Sequence, residues 1–473
     1  MISLDEAIWL RELWEAVGDF HLFKFTGLNP PRLFPYFRIH LAETPVEALG
    51  VPNLSEFVFV PHAGKGLSLD KALGSAVGEA FERVLPLLSQ PHVVLASYAE
   101  LGEEALGPGS IHLFAEEQYG TIPYRRFLPN TRVGWIAARD LEGRRVLIPA
   151  QIGRFGYILR KGETPIAYSH SGGLASGPSK LFAIYRGVVE FLERDAINIG
   201  WHSDIPPKRL KMGLKEALDI LGWRWAGDYK LHVFLWPSDV GVVVISAHLI
   251  DPHRDVYNYF PGCGAGLSIE EALERALGEV AQALDFKTVV TSGVLKELYY
   301  VDKDAPPEAA DNLFRIVYYY GYRENLEKLY AEFFSRAKEA DPPKVYVAER
   351  LSHKFSYLKT ALGDAKFYVV DHKHPDSDVE IAKVFSPDFT QYNSPRLPML
   401  GHPRYYNPAP GITRTYAELR KNQCPIPDVP INRLQHLHCC ARRPTSTSRQ
   451  RSSKLNPPVD ILGTSYRAYA LRR

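Results

Sequence analysis

The residues of this chain best suited to chemistry are six oxygen-bearing side chains that recur at one spacing in three distant segments. Gly66-Leu-Ser68 leads to Ala72, Glu79 and Glu82; Gly177-Pro-Ser179 leads to Ala183, Glu190 and Glu193; Gly266-Leu-Ser268 leads to Ala272, Glu279 and Gln282. Counted from the glycine, serine stands at +2, alanine at +6 and glutamate at +13, with Glu, Glu and Gln at +16. Carboxylates at i and i+3 of a helix are neighbours that repel unless a cation or basic group lies between them. With Arg83 and Arg194 directly after the second glutamate in two segments, the set suits Mg²⁺ and a polyphosphate. Mg²⁺ takes few carboxylates and fills its octahedron with water and phosphate oxygens. A single Glu-x-x-Glu-Arg reads more readily as a solvated face paired with its own arginine. Recurrence at one offset favours a shared role, because independent surface helices have no reason to agree.

The elements that must hold these groups follow from their flanks. A glycine, then serine, then a long stretch without Pro or Gly clusters is a helix start, with the serine oxygen accepting from the first free amides. In the third segment Glu271 follows Ser268 by three residues, a capping box. One strand–helix unit used three times is therefore expected. Strands are predicted at 36–41 and 57–60, at 135–139 and 145–148 around an Asp140-to-Gly143 turn, at 232–236 and 242–245, and at 345–347, 367–370 and 380–385. A helix is predicted near the N-terminus, capped by Ser3 and Glu6, with another over 214–221 and a helical stretch over 307–340. Lys65, between Gly64 and Gly66, invites a phosphate-loop reading, but the longer glycine-lysine-serine spacing of that loop is absent.

Composition bounds the rest. With 473 residues, 45% of them hydrophobic, the chain can bury a large core. No apolar run approaches the roughly 20 residues of a membrane span, and MISLDEAIWL lacks the layout of a signal peptide. Four cysteines (263, 424, 439, 440) make no disulfide framework, so a cytoplasmic location is expected. No Ser-His-Asp or Cys-His set stands out, and no catalytic nucleophile is assigned. His372 with His374, and His436 with His438, Cys439 and Cys440, lack the spacing of a zinc site.

GKG followed by SAVGEAFERV, then GLASG with VVEFLERDAINIGW, then ALERALGEVAQ resemble the signature blocks of the YcaO family, in its branch of azoline-forming peptide cyclodehydratases. The resemblance implies an α+β fold with mixed and antiparallel sheets, in which three pseudo-repeated glutamate-bearing helices converge on an ATP/Mg²⁺ site. It implies ATP and Mg²⁺ as cofactors, with Glu79, Glu190 and Glu279 holding the metal. Glu82, Glu193 and Gln282 would help in metal or nucleotide contact, and Ser75, Arg83 and Arg194 would contact ATP or orient the carboxylates. A Cys, Ser or Thr side chain of a ribosomally made precursor peptide would attack the preceding amide carbon. Phosphorylation of the former amide oxygen and loss of phosphate would then leave a thiazoline or oxazoline. Related amide activations, giving thioamides or amidines, and a scaffold that binds peptide without ATP turnover are the alternatives. Expected partners are the precursor peptide and a separate ThiF-like or leader-binding protein, with no membrane or nucleic acid; a homodimer is left open.

Three departures stand out against the family's blocks. Ser171-Gly172-Gly173 replaces Ser-Asn-Gly, Phe182 replaces a Glu just before the helix alanine, and Ala283-Leu284 replaces an arginine after the glutamine. The expected organisation is an N-terminal helix and strand region (1–56), a catalytic domain (57–430) and a basic tail (431–473). The catalytic domain would include a late family block at 401–408 and a proline-rich end, Cys424 to Pro430. The tail holds nine Lys or Arg against one acid, Asp460, a composition that predicts disorder. A basic tail suits a nucleic-acid or membrane contact, but a frame-shifted or read-through end is the favoured reading.

Overall fold

The computed structural model describes residues 23–29, 36–41, 62–88 and 91–419, with short breaks at 225–226, 293–295, 311–312, 344–349, 375–376, 392–393 and 395–396. The expected N-terminal helix, the strands at 57–60 and 345–347, the proline-rich end and the basic tail lie outside these residues.

Three sheets carry three long helices. The first sheet is antiparallel, ordered β1 (Phe23–Asn29), β2 (Tyr36–Leu41), β3 (His62–Lys65). It supports α1 (Leu69–Leu88). Strands β1 and β2 precede residue 57, yet they are hydrogen-bonded into the sheet that bears the first repeat helix.

A six-stranded antiparallel sheet runs β4 (Val94–Ala96), β5 (Val133–Asp140), β13 (Tyr368–Asp371), β14 (Glu380–Phe385), β7 (Leu174–Gly177), with β6 (Arg145–Pro149) paired to β5. It supports α2 (Lys180–His202). The β5–β6 hairpin turns at Gly143, whose φ of +88° lies in the region that favours glycine.

The five-stranded sheet is ordered β11 (Tyr259–Gly266), β10 (Val243–Ile250), β9 (Lys230–Trp236), β8 (Lys208–Leu210), β12 (Glu339–Ala340). Only β12 pairs parallel. The sheet supports α3 (Ile269–Ser292). The expected helix at 214–221 spans Leu214–Ile220. The stretch over 307–340 contains the helices Leu313–Tyr319 and Arg323–Glu332 and ends in the short strand β12.

Each repeat is thus a strand running straight into a helix: β3 into α1, β7 into α2, β11 into α3. Each helix lies on its own strand and also touches the strand of another unit: α1 touches β7, α2 touches β11 and α3 touches β3. The three contacts close a cycle.

The alanine at +6 is explained by this packing. Ala72, Ala183 and Ala272 are each 0% exposed, facing their own strand. A Cβ at Gly64 would lie 2.0 Å from the Ala72 carbonyl oxygen and 2.0 Å from the Ala76 amide nitrogen. One at Gly264 would lie 2.3 and 2.5 Å from the same atoms of Ala272 and Ala276. Backbone-to-backbone approach this close excludes any strand residue larger than glycine. In the second unit the corresponding strand position holds Ala175 and the corresponding helix position Gly187, where a Cβ would lie 2.7 Å from the Gly173 carbonyl oxygen and 2.7 Å from Val384 Cγ2.

Candidate functional site

The helix starts agree across the three units. Ser68, Ser179 and Ser268 Oγ accept from the amides of Lys71, Phe182 and Glu271 at 3.2, 3.2 and 3.3 Å. In the third unit the Glu271 carboxylate reaches back to the Leu267 amide at 3.0 Å, and it also takes the Tyr185 hydroxyl and the Lys354 ammonium. With the starts fixed, positions +13 and +16 fall on corresponding turns.

On α1, Arg83 Nη2 lies 4.0 Å from Glu79 Oε1 and 3.5 Å from Glu82 Oε1. On α2, Arg194 lies 4.0 Å from Glu190 Oε1 and 3.5 Å from Glu193 Oε1. The two clusters repeat each other in distances as well as in sequence. On α3 the residue after Gln282 is Ala283, and the cation comes from β3 instead. Lys65 Nζ lies 3.3 Å from Glu279 Oε1 and 3.1 Å from Gln282 Oε1. Gly278 makes room for the lysine stem; a Cβ there would sit 2.9 Å from Lys65 Cγ. Its counterpart Gly78 gives its carbonyl to Ser176 Oγ at 2.8 Å, where β7 meets α1.

Electrostatics link each helix to the next. Burial pushes the Glu82 carboxyl up to about 8; Arg83 opposes this, while Glu190 and Glu79 add to it. Burial likewise pushes Glu193 up to about 7, with Arg194 opposing and Glu279 and Glu190 adding. Burial also raises Glu279, but Lys65, Arg194 and the Cys263 amide, which donates to Oε2 at 2.9 Å, outweigh it and hold this carboxyl below its usual range. The +16 acid of one helix therefore faces the +13 acid of the next, as Glu82 with Glu190 and as Glu193 with Glu279. Among the described residues no three His, Cys, Asp or Glu side chains are grouped closely enough to hold a metal ion unaided.

Ser75 is exposed on α1. Its counterparts at +9 are Arg186 and Arg275. Arg186 was missed from sequence, although it lies within electrostatic reach of Glu82, Glu190 and Glu193 and keeps a buried Nη1 without a hydrogen-bond partner. The alignment of offsets that gave the glutamates also gives this arginine. Cys263, missed as well, holds Glu279 through its backbone, and its thiol is pushed up by burial and by Glu279 and Glu193. Phe182 is half-buried against Gly177 and offers no donor oxygen. His372 is 0% exposed, accepting from the Phe155 amide, which suits a core histidine.

The residues present fit a magnesium nucleotide. Each cross-helix acid pair contains one carboxyl raised by burial and by its acidic neighbours, Glu82 in the first and Glu193 in the second, and such pairs gain from a divalent cation. They offer part of a coordination sphere and leave the rest to phosphate and water. Arg83, Arg186, Arg194 and Lys65 surround them, and the orphaned donor of Arg186 can take a phosphate oxygen.

Residues 63–390 match the model of the family described as YcaO cyclodehydratase, ATP- and Mg²⁺-binding. The chain belongs to the YcaO family. Membership places it among ATP-using enzymes, and its α+β architecture matches solved YcaO structures. The YcaO of Methanopyrus kandleri bound with AMPPCP and Mg²⁺ superposes with a TM-score of 0.56 at 22% identity, over 84% of this chain and 94% of that one. A heterocyclase in complex with substrate and cofactor gives a TM-score of 0.63 at 19% identity, over 86% of this chain. This chain spans 56% of that heterocyclase. The E. coli microcin synthetase complex gives 0.56 at 14% identity, over 84% of this chain and 95% of that one. In sequence, an uncharacterized protein of Methanothermobacter thermautotrophicus is 27% identical over 296 residues, covering 59% of this chain and 70% of its own. An uncharacterized protein encoded in the tfuA 3′ region of Rhizobium leguminosarum bv. trifolii is 23% identical over 307 residues, 58% of this chain and 69% of its own. No helix among the described residues is long and apolar enough to cross a membrane.

Proposed function

We propose that this YcaO enzyme is an ATP- and Mg²⁺-dependent cyclodehydratase of a ribosomally made peptide. A Cys, Ser or Thr side chain of the substrate adds to the preceding amide carbon. The γ-phosphoryl group of ATP passes to the former amide oxygen, and departure of phosphate leaves an azoline. Phosphoryl transfer asks the protein for positioning and charge neutralisation, which accords with a site rich in carboxylates and cations and without an assigned nucleophile. When bound, Mg²⁺ would offset phosphate charge between the helices. Glu190 and Glu279, with Glu79, would hold it, while Glu82, Glu193 and Gln282 keep those side chains in place. Arg83, Arg194, Arg186 and Lys65 would orient the phosphates, and Ser75 would contact the nucleotide only through its exposed edge.

The observation that carries this reading is the matched Arg–Glu–Glu geometry of α1 and α2, completed on α3 by Lys65 from another unit. Titration calorimetry of the full chain with ATP and Mg²⁺ tests it. Binding that needs both components supports the reading, and undetectable binding at millimolar ATP leaves only a peptide-binding scaffold. The expected partners are the precursor peptide and a separate ThiF-like or leader-binding protein. Co-expression of each with this chain, followed by mass spectrometry for a loss of one water per ring, identifies the reaction. A product with sulfur in place of oxygen points instead to thioamide formation.

A further inference from the structure

Lys383 lies on β14 between Ala382 and Val384 and is 1% exposed, as buried as its apolar neighbours. Its ammonium donates to the carbonyl oxygens of His170 at 2.6 Å and Gly172 at 2.9 Å. Two neutral carbonyls do not neutralise a buried cation, and such a group is costly to bury unless opposite charge lies near. The charges within reach are Glu190 and Glu82, one of the two cross-helix acid pairs of the site, with Arg83 between them in strength and opposing them.

The two carbonyls belong to the loop that feeds β7 and then α2. The loop is tightly fixed: Gly173 has φ +76°, the Val384 amide donates to its carbonyl at 2.8 Å, and a Cβ on Gly187 of α2 would lie 2.7 Å from that same oxygen. Further along β7, Ser176 bonds to the Gly78 carbonyl of α1. One lysine therefore pins the segment whose far end touches both helices that carry the Glu82–Glu190 pair.

We infer that Lys383 is a positioning residue for nucleotide binding, setting the spacing of Glu82 and Glu190 through its hydrogen bonds to the loop at 170–173. The inference rests on the nucleotide reading of the site. The test is Mg-ATP calorimetry on full-length wild type, K383M, K383R and K383Q, with hydrogen exchange over 170–174. K383R keeps the charge, whereas K383Q keeps only amide donors and so serves where K383M fails to fold. Expected are affinities about tenfold or more weaker for K383M and K383Q, near-wild-type binding by K383R, and faster exchange in the loop of K383M or K383Q. A filler of the core would not give rescue by K383R at temperatures far below melting. Wild-type binding together with unchanged affinity in K383Q overturns the inference alone. Absence of Mg-ATP binding by the wild type overturns the nucleotide reading and the inference with it.

Discussion

In α1 and α2 the arginine one residue past the second carboxylate folds back on both acids, at distances that agree within the pair. In α3 that place is taken by Ala283, and the cation arrives from Lys65, 214 residues before Glu279 in the chain. The first two clusters are local and could form in any solvated helix. The third cannot, because it exists only when β3 and α3 are side by side. A charge missing from one segment has been replaced from another, and this is what the loss of the family's arginine would require if the site is to keep its balance.

The comparison breaks most sharply at the acids. E190Q or E279Q is expected to lower ATP turnover by about 10²- to 10³-fold with little change in melting temperature, measured by phosphate release. Gly64→Ala should destabilise the first unit by about 3 kcal/mol or prevent folding, read by urea unfolding, because its Cβ meets backbone atoms of α1. Ala175→Gly in the second unit should cost about 1 kcal/mol or less. If Lys65 substitutes for the missing arginine, K65A weakens Mg-ATP binding by about tenfold and A283R in that background restores part of it. A283R giving no recovery would mean that position and charge are not interchangeable.

The smallest effect concerns pH. Glu82 and Glu193 have carboxyls raised to about 8 and about 7 in the folded chain, above the ordinary value of 4.5. The native state therefore binds more protons than the unfolded state between these limits, and stability falls as pH rises from about 5 to 8. Calorimetric melting in the absence of divalent cation should show this slope, and Mg²⁺ with ATP should flatten it by taking the place of the protons.

Much of this arrangement could be read from spacing. Serine caps at +2, a packed alanine at +6 and paired oxygens at +13 and +16 all have local causes, and the strand at 36–41 carries its own alternation. The resemblance supplied the convergence of the helices, which no local pattern encodes. What stayed hidden depends on contacts between units. Lys65 was visible, but its partner was not, since a lysine's target is set by which strand edge its helix neighbour borders. Lys383 looked like any polar residue in a strand, and only the register of β14 with β7 turns it toward the loop carbonyls. The pairing of +16 with the next helix's +13 depends on the angle between helices, and sequence offsets are silent on angles.

The Lys65 bridge also bears on the order in which the molecule can be completed. As the polypeptide emerges from the ribosome, the first two glutamate clusters find their cations within a turn of helix. Lys65 must wait until residues 279 and 282 have been made. Among the three glutamate clusters, the one that joins the first unit to the third is therefore the last to find its cation, and a nascent chain stopped short of it carries an unmatched ammonium where a finished one carries a closed circuit.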